Sequence, residues 1–569
     1  MKIAVGQMPV IAAEPEKNYQ TAGQCIADAK AQGVELLLLP QLAISGACVG
    51  DNWRDRGFID DCLYFGEKLA ELTQGIKVIF GNILYQDQKL SEAAYLAQDG
   101  FLKRLDAFIA PSVFSHEEIF SPSLKAAGVN ELKINQRTVQ TAVVLGKWQG
   151  ELPQAELIIN LAQLPLVLEE KQSYSQIMQK QAHQACFAFV NSCSLLNNGK
   201  TFWSSAGGSE IYDKSGRLIV AAPLFTAGVY CDLQAKNFED EEKVFQALVD
   251  GVRKFLGMIG VKRVVLGLSG GIDSALAAVI YTAAVGGDNV LMVNMPSCYS
   301  SNLTQSLSTR LAAALKTHYA IMPIQKALEM TVDQFEKTPI TSPEGQKWHL
   351  KMSSFVQENI QARDRSARIL AAAAAAWGAI YTCNSNKAEM TVGYATFCGD
   401  LSGAFAAFAD LWKYQVYQAC RWAQGVFPEA AEVLQEIADI RPSAELSMEQ
   451  SVDEGKGDPL FYPYHDYLLR AWTKGQATPA DILSWYQSGV LSEKIGCEKG
   501  IVKRHFKTFE DFTADLEYWW GMYRGMGVAK RMQSPPLLAL SESPFGVFGH
   551  QVQARPYFSR EYKKLKQIL

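Results

Sequence analysis

The chain has 569 residues, enough for two or more domains. It is 48% hydrophobic and 20% charged with a net charge of −5, which fits globular domains with sizeable cores and leaves no basic field for nucleic acid or an acidic membrane surface. No apolar run is long enough to span a bilayer, and the 11 cysteines show no CxxC pair and no zinc-type spacing with histidine, so free packing cysteines in a reducing cytoplasm are expected.

The N-terminus begins directly as a strand, 2–5, and no signal peptide is expected. A second apolar run, 35–39, follows an amphipathic helix over about 18–32. Further strands are expected at 78–81, 142–145, 157–161 and 187–191, with a hairpin turn at 213–217. This alternation predicts an α/β domain over 1–235.

A charge-rich crossing, 237–243, leads into a helix with Val244, Leu248, Val252, Phe255 and Leu256 on one face. The apolar run 264–268 reads as a buried parallel strand. It stops at Ser269-Gly270-Gly271, and a helical pattern continues from Ser274. Strand, Gly-rich turn and helix N-terminus together cradle an anion, because backbone N–H groups and the positive helix end face it. Asp273 would repel a phosphate unless a cation such as Mg²⁺ lay between them; a plain strand–helix turn with an acidic cap is the competing reading. Strands are expected at 290–295 and 319–324, a mobile lid at 338–347, an Ala-rich helix at 369–377 and a strand entering a polar loop at 379–389. Lys387, Glu389 and Asp400 crowd that last stretch; a solvated lysine and a helix-surface acid are the plain alternatives for Lys387 and Glu389.

Two resemblances follow from these residues. Leu-Leu-Leu-Leu-Pro ending at Pro40, the strand into Gly81-Asn82, Ala110-Pro111-Ser112 before Phe114 and Glu117, Leu157–Leu161, Asn191 and Gly208-Ser209 resemble the nitrilase (carbon–nitrogen hydrolase) family. That family cuts amides with a glutamate, a lysine and a cysteine. The matching positions here hold Gln41, Ala107 and Val144 (or Leu145), none of which supplies the chemistry. Cys48, Lys103 and Lys147 lie near the vacated positions. The expectation is a folded but hydrolytically inactive domain.

The second half is similar to NAD synthetases. The resemblance rests on 269–274, Met295-Pro296-Ser297, 358–363, Asn386-Lys387-Ala388-Glu389, Gly393-Tyr394, Gly399-Asp400, 441–446 and 530–536. A nitrilase-like domain ahead of a synthetase is the layout of the glutamine-dependent enzymes, with a homo-oligomer implied. The resemblance implies an α-β-β-α sandwich over 1–235 and a Rossmann-like ATP pyrophosphatase domain over 236–569. It further implies that Gly267, Leu268, Ser269, Gly270, Gly271, Ile272, Asp273 and Ser274 bind ATP together with Asn384 and Lys413. Asp273 and Glu389 would hold Mg²⁺, while Asn359, Glu389, Asp400 and Lys530 would contact deamido-NAD. Cys383-Asn384-Ser385 stands where the family usually has Thr-Thr-Gly, and Gly403-Ala404 where Gly-Gly is usual. The implied reaction converts a carboxylate to an amide through an acyl-adenylate, releasing AMP and pyrophosphate. Free ammonia, or ammonia from a separate source, is the expected nitrogen donor. A glutamine-using enzyme with a rearranged site, a ligase for another carboxylate and a non-catalytic scaffold are the alternatives.

Overall fold

The computed structural model describes residues 2–110, 128–134, 137–168, 172–182, 184–234, 238–447, 450, 457–545 and 556–568. The chain forms two compact units, Met1–Phe238 and Glu239–Leu569. The landmarks Pro111, Ser112, Phe114 and Glu117 lie outside the described residues.

The first unit alternates β1 (Ile3–Gln7), α1 (Pro15–Ala31), β2 (Leu36–Leu38), α2 (Arg56–Glu71), β3 (Lys77–Gln86), β4 (Lys89–Gln98), β5 (Phe101–Leu105), β6 (Ala107–Ile109), β7 (Val129–Ile134), β8 (Arg137–Leu145), β9 (Leu157–Ala162), α3 (Tyr174–Gln181) and β10 (Cys186–Asn191). It ends with the hairpin β11 (Cys193–Asn198)–β12 (Thr201–Ala206), then β13 (Glu210–Tyr212), β14 (Leu218–Ala221) and β15 (Gly228–Tyr230). One sheet runs β15-β1-β2-β3-β4-β5 and the other β14-β13-β10-β9-β8-β6, with β7 beside β8. Strand periodicity sorts the side chains between layers. Val143, Leu145, Ile159 and Leu161 meet Val5, Leu38 and Ile79 between the sheets. Ala142, Val144 and Ile158 turn the other way, onto Met178 and Ala182 at α3. Ala4, Leu37 and Val78 pack onto Ala22, Ile26 and Leu69 of α1 and α2. The layers are α-β-β-α, the sandwich expected from the sequence.

The second unit opens with α4 (Asp240–Met258), then β16 (Val264–Gly267), α5 (Ile272–Val285), β17 (Val290–Asn294), α6 (Asn302–Ala314), β18 (His318–Ile321) and α7 (Gln325–Lys337). The segment expected to be a mobile lid folds as a short hairpin, β19 (Ile340–Thr341) with β20 (Lys347–Trp348), closed where Ser342 N–H donates to Gln346 O at 2.8 Å. After it come α8 (Ser354–Arg363), a π-helical turn (Asp364–Leu370), α9 (Ala371–Trp377), β21 (Ile380–Tyr381), α10 (Lys387–Val392), α11 (Lys413–Val426), α12 (Ala431–Asp439) and α13 (Tyr462–Thr473). The sheet order β18-β17-β16-β21 is parallel throughout. The order reverses between β16 and β21, so a crevice lies outside the carboxyl ends of those two strands, where open α/β sheets bind ligands.

Candidate active site

The crevice is a pocket of about 300 Å³ lined from the β16, β17 and β21 strand ends, the π-helical turn, and the segments around Glu445 and Asp458. The 267–274 loop forms its floor through a local hydrogen-bond lattice. Ser274 Oγ donates to Gly271 O at 2.9 Å and accepts from Ser269 N–H at 3.2 Å, so the two serines close the loop onto the start of α5. Gly270 has φ +92°, and a Cβ there would lie 2.3 Å from Thr304 O of α6. Only glycine fits that approach. Gly270 therefore packs on α6, whereas Gly267, Leu268, Ser269, Gly271, Ile272, Asp273 and Ser274 line the pocket. Asn384 lines it too and ties the two strands across the crevice, donating from Nδ2 to Gly267 O at 3.3 Å.

Above the loop, Asn386 caps α10, its Oδ1 accepting from Glu389 N–H at 3.1 Å. A helix that begins with Asn and has Glu three residues later satisfies its own first amide groups. The same Asn386 side chain donates to Asp273 Oδ1 at 3.0 Å and to Glu389 Oε1 at 2.8 Å, which fixes both carboxylates. Lys413, at the start of α11, is buried; it hydrogen-bonds Asp273 Oδ2 and lies 3.8 Å from Glu389 Oε1. Its ammonium also sits 4.7 Å from the Tyr462 ring centroid. Tyr462 OH lies 3.4 Å from Glu389 Oε1 and 3.3 Å from Asp458 Oδ2.

The electrostatics are unbalanced toward negative charge. Burial and the nearby Asp273 charge push the Glu389 carboxyl well above the usual carboxylate range, against the pull of Lys413. Burial also raises Asp458, as it does Asp400. Burial works against the charged form of Lys413, but Asp273 and Glu389 outweigh it and hold the ammonium charged.

Sequence reasoning placed Lys387 in this crowd, with solvation as the alternative. The structure assigns it neither place. Lys387 is 2% exposed and donates to Asp410 Oδ1 at 2.7 Å, Ser541 Oγ at 2.6 Å and Ser543 O at 3.0 Å. It is a structural tie away from the pocket lining. Glu389 is likewise no surface acid. Asp400 lines the pocket and accepts from Thr396 N–H at 2.7 Å. Asn359 and Lys530 are not in the lining: Asn359 Nδ2 donates to Phe355 O at 2.7 Å and Lys530 Nζ to Gly393 O at 2.8 Å. Asp458 and Tyr462 were missed, since nothing in the local pattern ties them to a loop nearly 200 residues earlier. Asn386 had a signal, its capping pair with Glu389.

The corresponding strand ends of the first unit hold a different group. Gln41 donates from Nε2 to the Glu92 carboxylate, and Gln163 Nε2 donates to Gln41 O at 2.6 Å. All three side chains are buried, and burial pushes Glu92 up to about 7, with the Gln41 hydrogen bond opposing. Val144, placed by sequence at the nucleophile's position, turns toward α3. The residue facing Gln41 is Gly146, with φ +79° and a Cβ position 3.4 Å from Gln41 Nε2. Gly146 lies just past the end of β8, where its positive φ takes the chain out of the strand's alternation. Ala107 packs between the sheets. Cys48 accepts a backbone hydrogen bond from Asn197, and burial drives its thiol far up, away from the reactive thiolate. Lys103 is exposed on β5.

A glycine-rich strand–helix loop at the switch point of a parallel sheet, faced by half-buried carboxylates and a buried lysine, marks the second unit as an α/β domain with a ligand-sized crevice, while the first unit is a nitrilase-like sandwich. Residues 244–496 match the NAD synthase family model. The glutamine-dependent NAD(+) synthetase of Thermotoga maritima is 26% identical over 546 residues, spanning 85% of this chain and 90% of that protein. Its Synechocystis counterpart is 28% identical over 534 residues, with 85% and 90% covered. The crystal structure of the glutamine-dependent NAD(+) synthetase from Cytophaga hutchinsonii has the same fold, with a TM-score of 0.77 at 16% identity over 100% of this chain and 99% of that one. The chain thus has the two-domain layout of these carbon–nitrogen ligases, with an NAD synthase domain in its second unit. No helix among the described residues is long and apolar enough to cross a membrane.

Proposed function

We propose that this chain is an NAD synthetase that amidates deamido-NAD at the expense of ATP and takes its nitrogen as free ammonia. The observation that carries the synthetase reading is the pocket itself: the serine-latched 267–274 loop, with Asp273 and Glu389 held by Asn386 and Lys413 directly above it.

The chemistry asks for such a site. A carboxylate is a poor electrophile, because its leaving group would be oxide. Its oxygen attacks the α-phosphorus of ATP, the bond to the bridging oxygen breaks, and pyrophosphate departs. Ammonia then attacks the acyl carbon, the bond to AMP breaks, and one proton is lost. The loop amides and the α5 N-terminus stabilise the pyrophosphate charge. Lys413 hydrogen-bonds Asp273 and lies 3.8 Å from Glu389, which draws both carboxyl groups toward one point. Asn384 supplies a hydrogen-bonding edge at the strand ends.

The residues fit Mg²⁺ as well. Among the described residues no cluster of three or more His, Cys, Asp or Glu could hold a metal alone. Mg²⁺, however, takes one or two carboxylates and completes its shell with phosphate oxygens and water. Asp273 and Glu389 are the pair that would hold it, since Asn386 donates to both and holds their oxygens toward one point. When bound, Mg²⁺ would neutralise charge developing on the departing pyrophosphate.

The ammonia assignment rests on the first unit. Gln41, Ala107 and Gly146 supply neither base, nor cation, nor thiol, and the buried Cys48 thiol is no substitute. The named relatives are glutamine-dependent, which favours the second reading: glutamine use through a rearranged site. One experiment separates them. NAD formation from deamido-NAD and Mg·ATP is measured with ammonium or with glutamine in ammonia-free buffer. Ammonium alone is expected to support turnover. Glutamine-driven turnover that is abolished by Cys48→Ala would falsify the ammonia assignment, and no product from either donor would overturn the synthetase reading.

A further inference from the structure

We infer that Arg365 is a phosphate-binding residue of this pocket, its guanidinium taking oxygens of the bound nucleotide. The inference deepens the synthetase reading and rests on its claim that the pocket holds ATP.

Arg365 lies on the π-helical turn Asp364–Leu370 between α8 and α9. A π-helical turn inserted between α-helices shifts the register of side chains, and such turns recur at functional sites. Here the shift separates two arginines on one turn. Arg368 faces outward and pairs with Asp364, one turn before it, at 2.7 Å. Arg365 faces inward and lines the pocket with Ser366 and Leu370.

The position of Arg365 is fixed at the strand ends. Its Nε donates to Met295 O at 3.1 Å, just past β17. Met295 Cε in turn lies 3.1 Å from the Cβ position of Gly267, the last residue of β16. The guanidinium is therefore anchored at the carboxyl end of β17, in the pocket that the 267–274 loop also lines. Its two terminal nitrogens make no hydrogen bond or ion pair to a described residue.

The charge inventory leaves Arg365 to the ligand. Lys413, the other cation lining the pocket, is already paired to Asp273 and Glu389. The carboxylates near Arg365 are used elsewhere. Asp400 accepts from Thr396 N–H at 2.7 Å. Glu445 accepts from Ser301 N–H at 3.1 Å and from Thr304 Oγ at 2.8 Å. Burial disfavours the guanidinium charge, yet Arg365 remains a cation at neutral pH. A guanidinium with one anchored nitrogen and two open ones presents the fork that matches phosphate oxygens, which an ammonium cannot reproduce.

The test uses the full chain and calorimetric titration with Mg·ATP, pyrophosphate and adenosine. Wild type, Arg365→Gln and Arg365→Lys are compared, and thermal melts establish that each variant is folded. Arg365→Gln is expected to weaken ATP about 10- to 100-fold, the worth of one charge-assisted hydrogen bond or more, and to leave adenosine within about 2-fold. Arg365→Lys keeps the charge without the fork, falls between, and carries the test should Arg365→Gln not fold. Unchanged ATP affinity in the variants overturns the inference. So does an equal loss for ATP and adenosine, which would mean contact with the base or sugar. A wild type that binds neither ATP nor pyrophosphate overturns the nucleotide reading of the pocket as a whole, a different failure from either of these.

Discussion

Both units gather carboxylates beside the residues that follow their parallel strands, and the two placements differ in what balances the charge. In the second unit Asp273 and Glu389 share one lysine, and with Asp458 they line an open pocket that also receives Arg365. In the first unit Glu92 has only the Gln41 amide, and no lysine or arginine among the described residues bonds to it. Yet the first unit keeps its core: Ile79, Val143, Leu145 and Ile159 are fully buried between its sheets, as Val265 and Val293 are in the other unit. A scaffold is maintained by many apolar contacts, whereas chemistry depends on a few polar ones, so the two can be lost separately.

The sharpest break of this comparison is to disable each site in turn. Asp273→Asn or Glu389→Gln should cut ammonium-driven NAD formation about 1,000-fold, as expected when a charge-stabilising group is removed from a preorganised site. Gln41→Ala and Cys48→Ala should leave that rate within about 2-fold. Steady-state assays at saturating ammonium decide it, and a large loss from Gln41→Ala would show that the first unit takes part in the chemistry.

Stability changes follow the same contrast. Lys387→Met leaves Asp410 buried without its cation, and breaking a buried pair costs about 3–4 kcal/mol when backbone donors remain, here Leu540 and Ser541 N–H at 2.7 Å. Denaturant unfolding that reports on the second unit should show that loss, with deamido-NAD and ATP affinity little changed in protein that is still folded. For Glu92 the effect depends on pH. Its carboxyl is raised by burial from an ordinary 4.5 to about 7, so the folded state prefers the protonated form. Wild type therefore loses stability as pH rises from about 4.5 to 7, by about 3 kcal/mol in all, and the loss is complete above that window. Glu92→Gln removes this dependence. The stability difference between variant and wild type should grow in the variant's favour from pH 5 to pH 8; a flat difference would mean Glu92 meets a cation after all.

Much of this architecture was legible in residue patterns because the signals were local. The run Val264–Leu266 with Ser269, Gly270 and Gly271 announced the loop, and alternating strands and helices announced an α/β first domain, while its sandwich layering came from the family resemblance. Asp273, Glu389 and Lys413 were found through family resemblance and do converge. What stayed hidden depended on distance or on register. Lys387 and Lys413 are both lysines flanking acidic motifs, and only the folded chain decides which one meets Asp273 and which meets Asp410. Gly146 and not Val144 faces Gln41 because the chain leaves β8 after Leu145 and turns through a positive φ, which strand periodicity does not foretell. Arg365 escaped notice because a π-helical turn breaks the helical periodicity by which an inward residue is recognised.

The smallest effect tests how the second unit shares its charge. Asp458 touches the carboxylate pair only through Tyr462, whose hydroxyl lies within hydrogen-bonding reach of both Asp458 and Glu389. Glu389 is held up first by burial and then by the Asp273 charge, while Lys413 pulls it down and Asp458 adds to the rise. Asp458→Asn removes that last contribution and keeps a side chain able to accept from Tyr462. Glu389 should then ionise at lower pH. If its ionised form is the active one, the acidic limb of the kcat profile should move to lower pH, with the plateau rate reduced by less than about 3-fold, the change expected for a rim-distance charge rather than a direct ligand. A limb that stays in place while the plateau collapses would make Asp458 a direct ligand of the substrate or metal, and the three carboxylates would then act as one binding set rather than as a pair with a distant neighbour.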